Sequence, residues 1–224
     1  MVRDLGTIGD ISSEESLKIS LARTRSKIYE YARSCSWQWF CTLTFAPDQT
    51  DRTDFKLCMK RVRQWLNNQK KRFSPGLFYL AVPEIHTKNQ DKYGITWHVH
   101  ILLADIGNMG MIFSGHYDKS GRKIYNLSGW NFGFSTAVQI EPGESHRVSR
   151  YIIKYITKQS HLLSKGCHRY YASRNLPKPI ETKLTVPPGE IDAEIDKIID
   201  SMGKDIVFVS ETQGYVNVKY IELE

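Results

Sequence analysis

The chain of 224 residues is long enough for one well-packed domain, and its 41% hydrophobic and 25% charged residues are ordinary for a globular protein. No apolar run approaches the roughly 20 residues that cross a bilayer, and the polar N-terminus lacks an apolar signal core. Four cysteines without a CxxC pair indicate neither a disulfide framework nor a zinc ribbon, so we expect a cytoplasmic protein without a membrane partner.

The first half of the sequence predicts helices and strands in alternation. A capping box at Ser12 and Glu15 opens the first helix, and aromatic and β-branched residues mark the first strand. The predicted elements are a helix at about 12–31, a strand at 37–47, a basic helix at about 53–72, and strands at 77–86 and 95–104 joined by a polar loop.

The second half predicts a fourth strand, a further helix and a distinct C-terminal segment. Residues 107–133 are rich in glycine and turn residues, so we expect an insertion or mobile loop there, with DKSGRK (118–123) as a hairpin tip. The remaining predicted elements are a strand at 133–142, a helix at about 145–163, a proline-rich linker at 176–190, an acidic helix at 190–202 and a hairpin at 205–220.

The order of these elements predicts an α+β fold, in which helices flank one central, mostly antiparallel sheet. We assign residues 1–180 to one domain, and residues 181–224 to an acidic helix and hairpin that are packed on it or appended to it. The sequence contains no Walker A motif, so a helicase activity in the same chain is not expected.

Positive charge is concentrated outside the C-terminal segment. Residues 189–224 carry nine acidic and three basic side chains, although the whole chain has a net charge of +7. The stretches 56–72 and 146–174 each hold seven Lys or Arg, no acidic residue, and interleaved aromatic residues. Such stretches favour a nucleic acid, which offers both phosphates and bases; two solvated helix faces are the alternative.

Two histidines flank a valine in the strand predicted at 95–104. Because side chains alternate across a strand, His98 and His100 point to the same face, roughly 7 Å apart, while their apolar neighbours face the core. Two imidazoles on one strand face suit metal chelation. Histidines that are satisfied in the core or lie at the surface are the commoner outcome of this pattern alone.

A carboxylate in the preceding strand is a third candidate ligand. Glu84 shares a face with Leu80 and Val82, where a carboxylate is costly unless it is paired or bound to metal. If the two strands are neighbours, Glu84 reaches the ion, and His86 on the same face is a further ligand or an outer group. An ion pair at Glu84, or Glu141 as the carboxylate ligand, is the alternative. Two imidazoles and one carboxylate leave open positions on a divalent ion, as catalytic sites do.

Residues 149–158 predict a helix with two tyrosines one turn apart. The spacing i, i+3, i+4, i+7 gives one face with these residues: Tyr151, Lys154, Tyr155 and Lys158. A phenol can act as a covalent nucleophile, and a nearby cation assists because the unperturbed phenol pKa is near 10. The alternative is an amphipathic helix with half-buried tyrosines and snorkelling lysines.

Three motifs, in this order, resemble the HUH endonuclease superfamily, in particular the rolling-circle replication initiators (Rep proteins) of bacteriophages and plasmids. CTLTF (41–45) resembles the first-strand motif of that family, WHVHILL (97–103) its metal motif, and YIIKYITK (151–158) its two-tyrosine YxxxYxxK signature. GWNFGFSTAVQI (129–140) and RYYASRNLPKP (169–179) resemble the shared context of small phage initiators.

The resemblance implies a central antiparallel sheet of about five strands, with the tyrosine helix beside it. It also implies Mg²⁺ or Mn²⁺ held by His98, His100 and Glu84 on the sheet face. In such proteins a tyrosine attacks single-stranded or supercoiled origin DNA, leaving a 5′-phosphotyrosine link and a free 3′-OH that primes synthesis. A second attack resolves the link, so the protein both starts and terminates rolling-circle replication.

The resemblance further implies roles for the surrounding basic residues. Lys154 and Lys158 contact the phosphate or stabilise the phenolate, and Tyr155 is slightly favoured for the first nick. The DNA backbone is followed by the helix at 56–72 and by four arginines: Arg147, Arg150, Arg169 and Arg174. A host helicase and a host polymerase are the implied protein partners.

Two other functional classes remain open. A relaxase or a two-tyrosine transposase shares the chemistry but usually carries larger accessory domains. A non-enzymatic binder of single-stranded nucleic acid explains the basic and aromatic content. It does not explain two histidines and a carboxylate on one strand face.

Overall fold

The computed structural model describes residues 13–86, 94–144, 147–149, 151–152, 167–178, 185, 187, 189–203, 206–212 and 218–223. The chain divides into two compact units, residues 1–179 and residues 180–224. The first unit holds a sheet with helices on both faces. The second holds a helix and a two-stranded sheet.

The helices and strands have the following bounds. The helices are α1 (Ser13–Arg33), α2 (Phe55–Arg72) and α3 (Ile191–Met202), and residues 147–149 and 151–152 are also helical. The strands of the first unit are β1 (Trp39–Leu43), β2 (Phe78–His86), β3 (Thr96–Ala104), β4 (Met111–Tyr117), β5 (Lys123–Leu127), β6 (Ser135–Gln139) and β7 (Tyr171–Ala172). The second unit contains β8 (Ile206–Thr212) and β9 (Val218–Leu223).

The strand order in the first unit is β4-β5-β6-β1-β3-β2-β7, and every strand pair among the described residues is antiparallel. The α+β class and the antiparallel sheet are therefore confirmed. The sheet is larger than the expected five strands. It gains a hairpin at one edge and the short β7 at the other, where Leu80 and Ala81 of β2 pair with it.

The expectation of an insertion or mobile loop at 107–133 is wrong, because β4 and β5 form a hairpin there. Its tip is the predicted DKSGRK turn, in which the Asp118 carboxylate accepts the backbone N–H groups of Ser120 and Arg122 at 2.8 and 2.9 Å. A register shift between Phe113 and His116 interrupts the pairing. The irregularity breaks the two-residue period that identifies a strand in sequence.

One face of the sheet is covered by α2. The helix begins at the N-cap Asp54, whose side chain accepts the Leu57 N–H, and ends with three basic residues that suit its C-terminal dipole. Its apolar stripe packs on the inner residues of β1, β2 and β3. The stripe consists of Cys58, Met59, Val62, Trp65 and Leu66.

The opposite face is covered only in part. Ile28 and Ala32 of α1 form a second core with the apolar residues of β2 and β3, and Val148 and Ile152 of the helical residues join this core. The predicted helix at about 145–163 is helical where it is described, while residues 153–163 lie outside the described residues, as does Ser12 of the predicted capping box. Along β3, apolar side chains on this face give way to histidines.

Candidate metal centre

The strand register brings the three predicted metal ligands together. Strands β2 and β3 are antiparallel neighbours in which Glu84 faces His98 and Val82 faces His100. Because side chains alternate across a strand, Glu84 and both histidines occupy one face of the sheet. Both histidines are buried, at 9% and 5% exposure, which is unusual for residues that carry ring nitrogens.

Three side-chain atoms of this triad converge on one point. Glu84 Oε2 lies 2.7 Å from His98 Nε2 and 2.9 Å from His100 Nε2, and the two Nε2 atoms are 3.0 Å apart. Among the histidine, cysteine, aspartate and glutamate side chains that the structure describes, these three form the group that can hold a metal ion.

The separations fit a divalent ion. With metal–ligand bonds of about 2.0–2.1 Å, neighbouring ligand atoms are about 2.9 Å apart in octahedral and about 3.4 Å apart in tetrahedral coordination. The observed 2.7–3.0 Å is closer to the octahedral value. Three ligands on one side of an octahedral ion leave the other positions open to water or substrate.

Protonation states in the triad also suit a cation. Burial raises the pKa of the Glu84 carboxyl, but hydrogen bonds with His100 and His98 outweigh burial and lower that pKa to about 2. Burial lowers the pKa of His100 below its ordinary value, more than the contact with Glu84 raises it. At neutral pH the site therefore offers an ionised carboxylate and a neutral His100, the forms that bind metals.

Strand β1 supports the triad from the other side of β3. Thr42 is paired with His100 in the sheet, and its Oγ1 lies 3.0 Å from His100 Nδ1. The Phe40 ring stacks on the His100 ring at 5.6 Å between centroids. On the β2 side, the half-buried His86 ring meets His98 edge-on at 5.4 Å, as an outer neighbour of the triad.

The Phe40 ring also contacts Tyr151, the described member of the predicted tyrosine pair. The ring centroids of Phe40 and Tyr151 are 5.1 Å apart in an edge-to-face arrangement, and Tyr151 is 47% exposed. One aromatic ring thus touches both a metal-ligand candidate and a nucleophile candidate. Lys154, Tyr155, Lys158 and Arg150 lie outside the described residues.

A groove of about 340 Å³ adjoins the triad. Its lining includes Phe40, Thr42, Thr136, Arg122, Arg147 and Tyr151. Arg147, a predicted DNA contact, pairs with Glu144 at 2.9 Å. Arg122 pairs with Asp118 at 2.8 Å and approaches Glu144 at 3.7 Å, so charged pairs link the hairpin tip to the Tyr151 region.

The other predicted arginines and the alternative carboxylate lie apart from the triad. Arg169 donates to Ser20 Oγ of α1 at 2.8 Å. Arg174 acts on Tyr79, where burial raises the phenol pKa and nearby arginines oppose that rise. Glu141 is exposed and donates its backbone N–H to the Glu144 carboxylate, so the described triad contains Glu84.

Thr42 and Arg122 are site residues that the sequence-based predictions missed. The alternation of Cys41, Leu43 and Phe45 with threonines in CTLTF is a signal that places Thr42 on the polar face of its strand. Arg122 gives no such signal, because it reaches the groove only through the fold of the β4–β5 hairpin.

Comparison with known proteins identifies a family. No curated protein and no solved structure shows significant similarity to the chain. In the described residues, no helix has the length and apolar character needed to cross a membrane. The profile of a family of replication-associated proteins, described by the name ORF2, matches residues 38–160, which include β1, the triad and Tyr151. Since the match spans more than half of the chain, the protein belongs to this replication-associated protein family.

Proposed function

We propose that the protein is a metal-dependent HUH endonuclease that nicks and joins single-stranded DNA, and thereby starts and terminates rolling-circle replication of phage or plasmid DNA. Membership of the family supports a role in initiating rolling-circle replication, and with it DNA binding. The observation that carries the enzymatic proposal is the convergence of Glu84, His98 and His100 beside a groove lined by Tyr151.

Mg²⁺ or Mn²⁺ held by Glu84, His98 and His100 would supply a Lewis acid that polarises an oxygen of the scissile phosphate. Glu84 contributes the one negative charge of the set, and His100 contributes a neutral nitrogen whose orientation Thr42 supports. Phe40 excludes water from one side of His100 and supports the Tyr151 ring from the other. These roles belong to side chains that the sheet holds in place before substrate binds.

The proposed step is an in-line transesterification. The phenol oxygen of a tyrosine forms a bond to phosphorus while the bond from phosphorus to the 3′ oxygen breaks. The phenol loses its proton and the departing 3′ oxygen gains one, so the products are a 5′-phosphotyrosine and a free 3′-OH. We assign the first attack to Tyr155 with Lys158, and the second to Tyr151 with Lys154.

The proposed partners follow from this chemistry. Origin DNA, single-stranded or supercoiled, is the substrate, and Arg147, Arg150, Arg169, Arg174 and α2 are the proposed backbone contacts. A helicase and a polymerase of the host extend the free 3′-OH in the host cytoplasm.

A gel assay tests the proposal. Circular single-stranded DNA with the presumed origin, or a random pool, is incubated with the protein and Mn²⁺, and products are separated under denaturing conditions. We expect a covalent protein–DNA band that disappears without metal and in the His98→Ala/His100→Ala variant. The band should be lost or altered in Tyr151→Phe and Tyr155→Phe but kept in Tyr117→Phe, a matched change of an exposed phenol on the hairpin.

DNA binding without any covalent band, with metal and ample substrate present, would contradict the enzymatic proposal. It would indicate a binding module instead.

A further inference from the structure

We propose that Phe134 forms a stacking site for a DNA base next to the metal triad. The inference rests on the proposed function, because it assigns a position to the single strand that the triad would act on. Phe134 is 62% exposed, more than any other large hydrophobic side chain in the described part of the chain. The exposure of so large an apolar ring has a cost in water that a stacked base would remove.

The position of Phe134 follows from the register of the sheet. Strands β6, β1 and β3 are neighbours in which Thr136 faces Thr42 and Thr42 faces His100. One pair beyond the last register pair of β1 and β6, the Thr44 N–H donates to the Phe134 carbonyl at 2.9 Å. Alternation then puts Phe134 on the face of Thr136, which lines the groove, two strand spacings or about 10 Å from β3.

The backbone holds Phe134 firmly in this position. The Thr44 hydroxyl donates to the Phe134 carbonyl at 2.9 Å and accepts the Phe134 N–H at 3.1 Å. The preceding Gly133 lies so close to the neighbouring chain that an added Cβ would be 2.3 Å from the Thr44 carbonyl oxygen. A rigidly held aromatic ring loses little conformational entropy when it stacks, which favours binding.

The charges around the groove agree with this occupant. Arg122 and Arg147 line the groove that runs along the same face, so a strand stacked on Phe134 has cationic groups nearby for its phosphates. The second aromatic ring at the groove is Tyr151, which is also exposed. Aromatic rings alternating with cations are the pattern that binds single strands with little sequence preference.

The test measures binding of a short single-stranded oligonucleotide in EDTA by fluorescence anisotropy, so that metal and cleavage play no part. Phe134→Ala should weaken binding about 5- to 150-fold, the range for loss of one stacked base. Phe134→Trp, which keeps an aromatic ring, should bind at least as tightly as the wild type. Phe73→Ala removes another exposed phenylalanine, at the C-terminal end of α2, and should leave binding unchanged.

A fluorescent base analogue in the oligonucleotide gives a second readout. We expect its emission to be quenched by the wild type and by Phe134→Trp, and to recover in Phe134→Ala. Equal affinity and equal quenching in Phe134→Ala and the wild type would overturn the inference. It would also be overturned if the wild type did not bind single strands, or if Phe134→Ala changed only the association of the protein with itself in sedimentation.

Failure of the proposed function gives a different result. If stacking on Phe134 is observed but no variant or metal yields a covalent band, the base site stands and the nicking proposal falls. If the band forms normally and Phe134→Ala binds and reacts like the wild type, the nicking proposal stands and the base site falls.

Discussion

Thr42 Oγ1 lies 3.0 Å from His100 Nδ1, so strand β1 supports a metal-ligand candidate that belongs to strand β3. When Nδ1–H donates to the hydroxyl, the lone pair of Nε2 is left facing Glu84 and His98. Partners of this kind fix both the tautomer and the orientation of a metal-binding histidine.

Replacement of Thr42 by valine should therefore weaken binding of Mn²⁺ about 10- to 100-fold, the usual effect of losing an outer partner of a ligand. Valine matches threonine in shape and lacks the hydroxyl. Isothermal titration calorimetry with Mn²⁺ measures the change. Thr42→Ser keeps the hydroxyl and is expected to bind nearly as well as the wild type; equal binding by the valine and serine variants would contradict the role.

Replacement of Glu84 by glutamine should weaken Mn²⁺ binding by more than about 100-fold, because a neutral amide replaces the one anionic ligand. The same titration is the measurement. Glu141→Gln is the matched control, since this exposed residue is the alternative carboxylate ligand and lies outside the triad. A large loss in Glu141→Gln with none in Glu84→Gln would reverse the assignment.

Replacement of Gly133 by alanine should destabilise the protein by about 3 kcal/mol, because the new Cβ meets backbone atoms that cannot move freely. The contacts would be 2.3 Å to Thr44 O, 2.7 Å to Ala46 N and 2.8 Å to Phe45 Cα. Urea denaturation followed by tryptophan fluorescence gives the free energy of unfolding.

Gly143→Ala is the comparison for this variant. An added Cβ meets nothing within 4 Å there, and the backbone φ of 85° leaves a strain of about 1 kcal/mol. If both variants lose the same free energy of unfolding, the close approach at Gly133 is not the cause.

Two cysteines should react slowly with alkylating reagents in the folded protein. Burial, assisted by Asp105, raises the pKa of the Cys35 thiol to about 11, and burial with Asp54 and Asp51 raises that of Cys58 to about 12. At pH 8 the reaction of Cys35 with iodoacetamide should be about 100-fold slower than that of an ordinary thiol, and faster by tenfold per pH unit. Mass spectrometry of alkylated peptides measures the rates.

The same shifts give a sign for stability. The folded thiols hold their protons more tightly than unfolded thiols, whose pKa is 9.0, so the free energy of unfolding should fall as pH rises from about 9 towards 11. Labelling in guanidinium chloride is the control for reactivity. Fast labelling of Cys35 and Cys58 at pH 8 without denaturant would contradict the pKa shifts.

The sequence allowed the triad to be predicted because its geometry depends on a simple rule. Strands β2 and β3 are adjacent in the chain, and alternation along each strand puts Glu84, His98 and His100 on one face once they pair. No knowledge of distant parts of the chain is needed. The tyrosine pattern is equally local, and it stays a prediction beyond Tyr151.

The rest of the site depends on contacts between distant residues. Thr42 meets His100 across 58 positions, and Thr44 meets Phe134 across 90. Arg122 joins the groove only because a hairpin with an irregular register extends the sheet. No local period predicts which strands become neighbours, so these partners became visible only in the folded chain.

All nine residues of β3 are buried, and the strand has a neighbour on each side. Amide protons at the two histidines should therefore exchange with solvent only when the whole unit unfolds. The candidate ligands would then keep one arrangement on every shorter timescale, so an ion entering the triad orders nothing. Motion during a catalytic cycle would fall instead to the DNA and to the exposed side chains that meet it.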